Sequence, residues 1–410
     1  RVRTDIVTQF FRKQCIMFLH MVFLPIFLTL IQSEVSGVNT DGVSLTCAFN
    51  NNFPLDVDLN SLAIHCDRVS FLRVVLSPHN AKFVSSIGTY AFSFKYGHMY
   101  IHGYAKTNIE KLKSMNKDRK VLLQVAMDTS KSSIQVDEYK ENLKQLLLMA
   151  RDLQYDGIFL LYDEAMVATN FLSILYELDY TSFWPGMELD VLVRNVIKPD
   201  SILWGTYDKM ITKYIFGFAN ATTDIIEPLC PFNIKHPRDM KKTIPEYKSL
   251  NMSKAIVMIN PGMKSHYLKK DKIKRALFTD LKNTCYLLNK SKKVSWDLTR
   301  SVSAEAYSKD EKYVLYLEDL QSLTIKFNYA VENGIEGFGV YVQFSKQTVK
   351  VPQCDQIYEK LLRGLKYYVD KNEEMLEKVQ LEMNDLLYNT KETSSKKMSK
   401  VIDNMGTTWF

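Results

Sequence analysis

Short runs of mostly apolar residues alternate along the chain with longer stretches whose apolar positions recur every three or four residues. "VSFLRVVL" (Val69 to Leu76) and "KVLLQVAM" (Lys120 to Met127) are runs of the first kind. Apolar residues occupy successive positions there, so each run predicts a strand covered on both faces. "YDGIFLLYDEAMV" (Tyr155 to Val167), "ELDVLVRNV" (Glu188 to Val196), "KYIFGFA" (Lys213 to Ala219), "KAIVMIN" (Lys254 to Asn260) and "GIEGFGVYV" (Gly334 to Val342) predict further strands. Between them lie helical patterns. "VDEYKENLKQLLLMARDLQ" (Val136 to Gln154) places Leu143, Leu146, Leu147 and Ala150 on one stripe. "NIEKLKSMN" before Lys120 and "TNFLSILYEL" (Thr169 to Leu178) are helical as well, and "LQSLTIKFNYAVENG" (Leu320 to Gly334) is stopped by Asn333-Gly334.

Doubly buried strands spaced by helices imply a parallel sheet with helices on its faces. Eight such units over roughly 300 residues favour an α/β fold of the (β/α)₈ TIM barrel type. An open doubly wound sheet usually carries a glycine-rich phosphate loop after its first strand, and none is present. The amphipathic stretch from Ile357 to Leu387 reads as the last barrel helix followed, beyond Asp370, by an extra helix. "NTKETSSKKMSK" after it is too polar to fold by itself.

The N-terminus changes the picture. "CIMFLHMVFLPIFLTLIQ" (Cys15 to Gln32) is apolar but broken by His20 and Pro25, and "SEVSG" offers small residues for cleavage. It predicts a secretory signal peptide, with Met17 as a natural start and the residues before it either a long basic n-region or translated upstream sequence. A retained membrane anchor is the rival reading. The expected organisation is a signal region over 1–37, a single barrel domain over 38–370, and a helix with a polar tail over 371–410. Secretion is the expected localisation, with no membrane attachment once the signal is cleaved.

The net charge of +7 is spread out, and its short basic stretches ("KKDKIKR", Lys269 to Arg275; "KSKK", Lys290 to Lys293) are interrupted or brief. Solvated helix faces account for them, and no nucleic-acid partner is expected. Six cysteines include Cys15 in the signal region; the other five form no C-x-x-C pair, so no zinc site is expected. His98 and His102 are spaced i, i+4 but lack an acid or cysteine cluster, so metal and cofactor are both expected to be none. In an oxidising compartment the five cysteines fit two disulfides and one remaining thiol. Sequons at Asn220, Asn251 and Asn289 suit an exported glycoprotein.

Four blocks in order carry a family resemblance. They are "LTCAFNNNFPLDVDLNSLAIHCDRVSFL", the stretch from Tyr155 to Val167, "LNMSKAIVMINPGMKSHYL", and "YLEDLQSLTIKFNYAVENGIEGFGVYVQ". Over about residues 44–343 the chain resembles the family 18 glycoside hydrolases, the chitinases and chitinase-like lectins. The resemblance implies the disulfides Cys47–Cys66 and Cys285–Cys354. It aligns Tyr155 to Val167 with the family's fourth strand, D-G-x-D-x-D-x-E. Asp156 and Gly157 then match, Phe159 and Leu161 replace two Asp, and Asp163 stands at the general-acid Glu. Ser322 and Lys326 keep the family's Ser-x-x-x-Lys helix pattern, and Tyr341 stands at its tryptophan.

The family's mechanism uses the substrate's own acetamido oxygen as nucleophile, an Asp to orient it, and a Glu to protonate the leaving oxygen. Phe159 and Leu161 can do neither job, and Asp163 is a methylene short. Gln124-Val125-Ala126-Met127 replaces the family's Ser-x-Gly-Gly on the third strand. If "KYIFGFAN" is the sixth strand, the Tyr-Asp pair of that strand is lost too, whereas "GTYD" (Gly205 to Asp208) would retain the letters. Sixteen residues separate Leu268 from Cys285, which predicts a shortened insertion before the last strand and a shallower groove.

The expected function is that of a secreted, catalytically inactive chitinase-like protein binding N-acetylglucosamine-containing glycans such as chitin oligomers. Tyr341 and Asp163 are the candidate ligand contacts, and Trp184, Trp204 and Trp296 are candidate groove residues. Two alternatives stand beside it. One is an atypical glycosidase of the chitinase type using Asp163 or Glu164. The other is a secreted protein-binding factor without a sugar site. Nothing in the sequence sets an oligomeric state.

Overall fold

In the computed structural model the chain runs from β1 (Ser44–Phe49) through α1 (Leu59–Ala63) into β2 (Arg68–Leu76), then through the antiparallel hairpin β3 (Ala81–Ser85) and β4 (Gly88–Phe92). The segments α2 (Met99–Met115), β5 (Lys120–Met127), α3 (Val136–Asp152), β6 (Gly157–Leu161), α4 (Ala165–Glu177), β7 (Glu188–Arg194), β8 (Lys213–Gly217), α5 (Met240–Glu246) and β9 (Ala255–Ile259) follow. Next come β10 (Gly262–Lys269), β11 (Lys272–Asp280), α6 (Leu281–Lys290), β12 (Ala304–Tyr307) and β13 (Tyr313–Glu318). The chain closes with α7 (Leu320–Glu332), β14 (Gly337–Val342), α8 (Pro352–Asp355), α9 (Ile357–Val369) and α10 (Glu373–Tyr388). The structure describes residues 43–50, 58–76, 81–85, 88–92, 99–127, 136–161, 165–194, 206–217, 230, 240–246, 252–269, 272–290, 304–307, 313–344 and 352–388. The apolar run from Cys15 to Gln32, the sequons at Asn220 and Asn251, Trp204, Trp296 and the polar tail lie outside them. Asn289 falls on α6.

Eight parallel strands close on themselves in the order β1-β14-β9-β8-β7-β6-β5-β2, with β2 back against β1. This is the (β/α)₈ barrel that the doubly apolar strands predict. The two faces of each strand serve two separate cores. Val69, Phe71, Val121, Leu123, Ile158 and Leu160 point outward and are buried with Leu143, Leu146, Leu147 and Ala150 of α3. Ala48, Leu122, Phe159, Leu161, Leu192, Ile215, Ile256, Met258 and Tyr341 form the interior. Alternation along each strand divides the residues in this way. The sixth barrel strand is β8, so "KYIFG" holds that place. Tyr207 and Asp208 lie in the turn before it, where Asp208 accepts a hydrogen bond from the Tyr214 hydroxyl at 2.8 Å.

The shortened insertion expected from the Leu268–Cys285 spacing is not what forms. Between the seventh and eighth barrel strands β11-β10-β13-β12 make a four-stranded antiparallel sheet carrying α6. Sixteen residues reach only as far as Cys285, and half the sheet lies beyond it. β13 pairs with β10 along Gly262–Tyr267, so the lobe is closed by a strand some fifty residues further on.

Both implied disulfides are present. Cys47 on β1 bonds Cys66, just ahead of β2, and Cys285 on α6 bonds Cys354 on α8. Cys230 takes part in neither and is buried. The bridges close loops of 19 and 69 residues. Chain entropy alone gives about 3 and about 4 kcal/mol for such loops. The Cys285→Ser/Cys354→Ser variant is therefore expected to lose more stability than Cys47→Ser/Cys66→Ser. Urea midpoints of the two double variants check this, and the reverse order would show that local strain outweighs loop length.

At the junction of lobe and barrel, Asp319 caps α7 by accepting from the Ser322 backbone N–H at 2.9 Å, while its own N–H donates to Ser322 Oγ at 3.0 Å. Ser322 Oγ also reaches Glu318 Oε2 at 2.9 Å. Lys326 Nζ lies 2.6 and 2.7 Å from the two Glu318 oxygens, and both side chains are fully buried. The helix pattern Ser-x-x-x-Lys thus serves to hold one carboxylate at the end of β13.

Candidate functional site

In a parallel barrel the strand ends and following loops at the C-terminal face build the site. Each inward position can be read off the pairing register. Arg68 lies at the level of Thr46 on β1, and Asp190 at the level of Lys213 on β8. Arg68, Asp190 and Glu188 close the floor. Arg68 Nη2 donates to Asp190 Oδ1 at 2.6 Å, Nε to Oδ2 at 3.2 Å, and Nη1 to Glu188 Oε2 at 2.5 Å. Lys120 adds a contact to Glu188 at 3.2 Å. Burial alone would lower the Arg68 pKa, but the charges and hydrogen bonds of its two carboxylates outweigh it and the pKa is raised. Burial lifts the Asp190 carboxyl above the usual carboxylate range against the pull of Arg68, and burial lowers Lys213 beside it. Above this floor Phe159, Ile215, Leu122 and Met258 fill the barrel and leave no space for a water molecule.

On the fourth barrel strand, β6, Gly157 has no alternative: a Cβ would sit 1.9 Å from the Glu188 carbonyl oxygen, because β6 and β7 approach closely at that level. Phe159 and Leu161 point inward and are buried in the apolar interior. Asp156 lies just before the strand and works for the fold. Its carboxylate accepts from the Val121 backbone N–H at 2.8 Å and from Lys113 Nζ at 3.0 Å. Asp163 and Glu164 lie outside the described residues.

On the third strand Gln124 takes the inward position at the level of Phe159. Its Nε2 donates to the carbonyls of Phe49 at 2.6 Å and Ser70 at 3.1 Å, stitching β1, β2 and β5 together. Tyr341 is buried in the interior, and its hydroxyl accepts from Arg73 Nη2 at 3.2 Å. Asn260, at the end of β9, donates through Nδ2 to Gln343 Oε1 at 2.9 Å. Asn50, at the end of β1, exchanges two hydrogen bonds of 3.0 Å with the Phe344 backbone. Trp184, a candidate groove residue, is instead buried in the outer core on the turn before β7. No group of three His, Cys, Asp or Glu that could hold a metal ion occurs among the described residues.

Arg73 escapes a reading by alternation. In "VSFLRVVL" strict period 2 would send Ser70 and Leu72 inward and Arg73 outward. The pairing of β2 with β5 shifts register between Phe71 and Arg73, so that Arg73 stands opposite Gln124. Leu72 is the inserted residue and takes a left-handed φ of 58°. A bulge of this kind re-aims the residue that follows it. The sequence signal was an arginine inside an otherwise apolar run, a residue that an outward position would have buried against helices.

No family model matches the chain, and no curated protein sequence matches it. Solved structures do. A Group IV chitinase from Ostrinia furnacalis, solved with allosamidin, superposes with a TM-score of 0.60 at 13% identity, covering 81% of this chain and 99% of that one. A family 18 chitinase from Cycas revoluta in complex with (GlcNAc)3 gives 0.56 at 14% identity, over 78% and 98%. A chitinase-like agglutinin from Robinia pseudoacacia gives 0.55 at 14% identity, over 77% and 98%. Both enzymes and a lectin-type protein therefore share this architecture, and the chain has the barrel fold of the family 18 chitinases and chitinase-like lectins.

Proposed function

We propose that the chain is a secreted chitinase-like protein that binds N-acetylglucosamine-containing glycan at the C-terminal mouth of its barrel and does not cleave it. The observation that carries this reading is the placement of Phe159 and Leu161. They occupy the two inward positions of the fourth strand where the family pattern has aspartates, and an apolar cluster surrounds both. Neither can accept a hydrogen bond from an acetamido group or balance a developing positive charge. Loss of one such electrostatic group slows a reaction by about 10²–10³-fold, and here both are absent. Binding is supported by the similar structures that hold (GlcNAc)3 and by the agglutinin among them. Tyr341 is the aromatic residue we assign to the sugar. Export is supported by the apolar run from Cys15 to Gln32 and by two disulfides, which persist in oxidising compartments.

The test is to incubate the exported protein with chitotetraose, following products by mass spectrometry and binding by calorimetry. Heat without products is the expected result. Cleavage that disappears in Asp163→Ala or Glu164→Ala would establish the glycosidase reading instead. Neither heat nor products would point to a protein-binding factor.

A further inference from the structure

We propose that the mouth of the barrel carries a subsite for an anionic group, and that the glycan it reads bears a carboxylate or a sulfate. This rests on the glycan-binding reading above and names the ligand class of that same site. Three observations converge. The bulge at Leu72 places Arg73 inside the barrel at the expense of a left-handed leucine, a strain of the kind that gathers at functional positions. Once inside, Arg73 meets no carboxylate among the described residues. Its Nη2 donates to the Tyr341 hydroxyl, and its Nε is buried with no acceptor among them. Asn260, nine-tenths buried, likewise holds its Oδ1 without a donor among the described residues while its Nδ2 engages Gln343.

These groups share one arc of the mouth. Barrel order runs β2, β1, β14, β9, so Arg73, Tyr341, Gln343 and Asn260 come from neighbouring strands. The opposite arc is apolar: Leu161 and Leu192 face across from them. A guanidinium in such a setting has its unused donors directed at a planar or tetrahedral oxyanion, and the Asn260 oxygen accepts from a sugar hydroxyl. The family pattern would put carboxylates on β6 where Phe159 and Leu161 stand. Their loss leaves a mouth whose described inward charge is positive rather than negative.

The experiment uses calorimetry on the exported protein with disulfides intact, at low salt, and three tetrasaccharides. One is chitotetraose. One alternates N-acetylglucosamine with glucuronate. One is chitotetraose sulfated at its 6-hydroxyls. At least one acidic oligomer is expected to bind about tenfold or more tighter than the neutral one, and whichever does identifies carboxylate or sulfate as the source. Arg73→Gln is expected to bring the acidic-to-neutral ratio close to one, Arg73→Lys to restore part of it, and Arg151→Gln, on an exposed helix end, to leave it unchanged. Thermal melts of each variant establish that it is folded. A ratio near one in the parent protein overturns the proposal while leaving glycan binding in place. A high ratio that survives Arg73→Gln in a folded variant overturns it too, since net surface charge would then explain the preference. Silence with all three oligomers removes the glycan reading and this proposal with it.

Discussion

Replacing Arg68 by methionine is expected to destabilise the protein by about 3–5 kcal/mol at neutral pH, among the largest effects of any single substitution in the barrel. The methionine fills most of the space but leaves Asp190 at the floor without its hydrogen-bonded counter-charge, while Glu188 keeps its contact with Lys120. Asp190 is 1% exposed, so water cannot replace the two hydrogen bonds it loses. The pH dependence carries the signature. Asp190 already has a raised carboxyl pKa, and removing the guanidinium raises it further. An acid whose folded pKa exceeds its unfolded value binds more protons when folded, so stability falls as pH rises through that interval. The deficit of Arg68→Met should therefore be full above the folded pKa and shrink on acidification toward the ordinary carboxylate range. Urea denaturation of parent and variant across that range measures it. Arg68→Met/Asp190→Leu should recover much of the loss, because a paired charge exchanged for packed apolar groups is often neutral. A single variant within about 1 kcal/mol of the parent at pH 7 would show the floor to be wet.

Lys326→Met is expected to cost a similar 3–5 kcal/mol, by the same logic but at a different place. Glu318 would keep the Ser322 hydroxyl and the Cys230 backbone N–H, at 2.9 and 3.3 Å, yet lose its counter-ion in a fully buried setting. The damage should be local first. Hydrogen exchange should speed up in β13 and at the start of α7 while β5 and β6 remain protected. The paired change Glu318→Gln/Lys326→Met should restore protection, since the amide can still accept from Ser322 without an unbalanced charge. Uniform loss of protection through the barrel would mean that this junction belongs to the global folding unit.

Which parts of this architecture could be read from the sequence follows from the range of the forces involved. Strand and helix periodicities are local, and they foretell seven of the eight barrel strands, from "VSFLRVVL" to "GFGVYV", together with the α3 stripe. The family resemblance sets Phe159 and Leu161 where its pattern has aspartates, and alternation sends both inward, as the structure has them. The floor was not: Arg68 and Asp190 are 122 residues apart, and nothing in either segment announces the other. The lobe was missed because β10 and β13 pair across an intervening helix, and β10 buries Lys264 and His266 in what reads as a polar stretch. Arg73 was missed because one inserted residue inverts the faces of everything after it, and a bulge at Phe-Leu-Arg leaves no glycine to mark it.

The lobe beside the mouth is fastened at more than its two chain ends. The Leu281 N–H at the start of α6 donates to the Tyr358 hydroxyl on α9, which donates in turn to the Gln343 carbonyl just past the last barrel strand. Cys285 on the same helix is bonded to Cys354, and α10 packs against α6. A jaw pinned in this way does not hinge. For the glycan proposed above, this predicts selection by rejection at a preset width: association in a single kinetic phase without a slow closing step, and a heat of binding with little contribution from reordering of the protein.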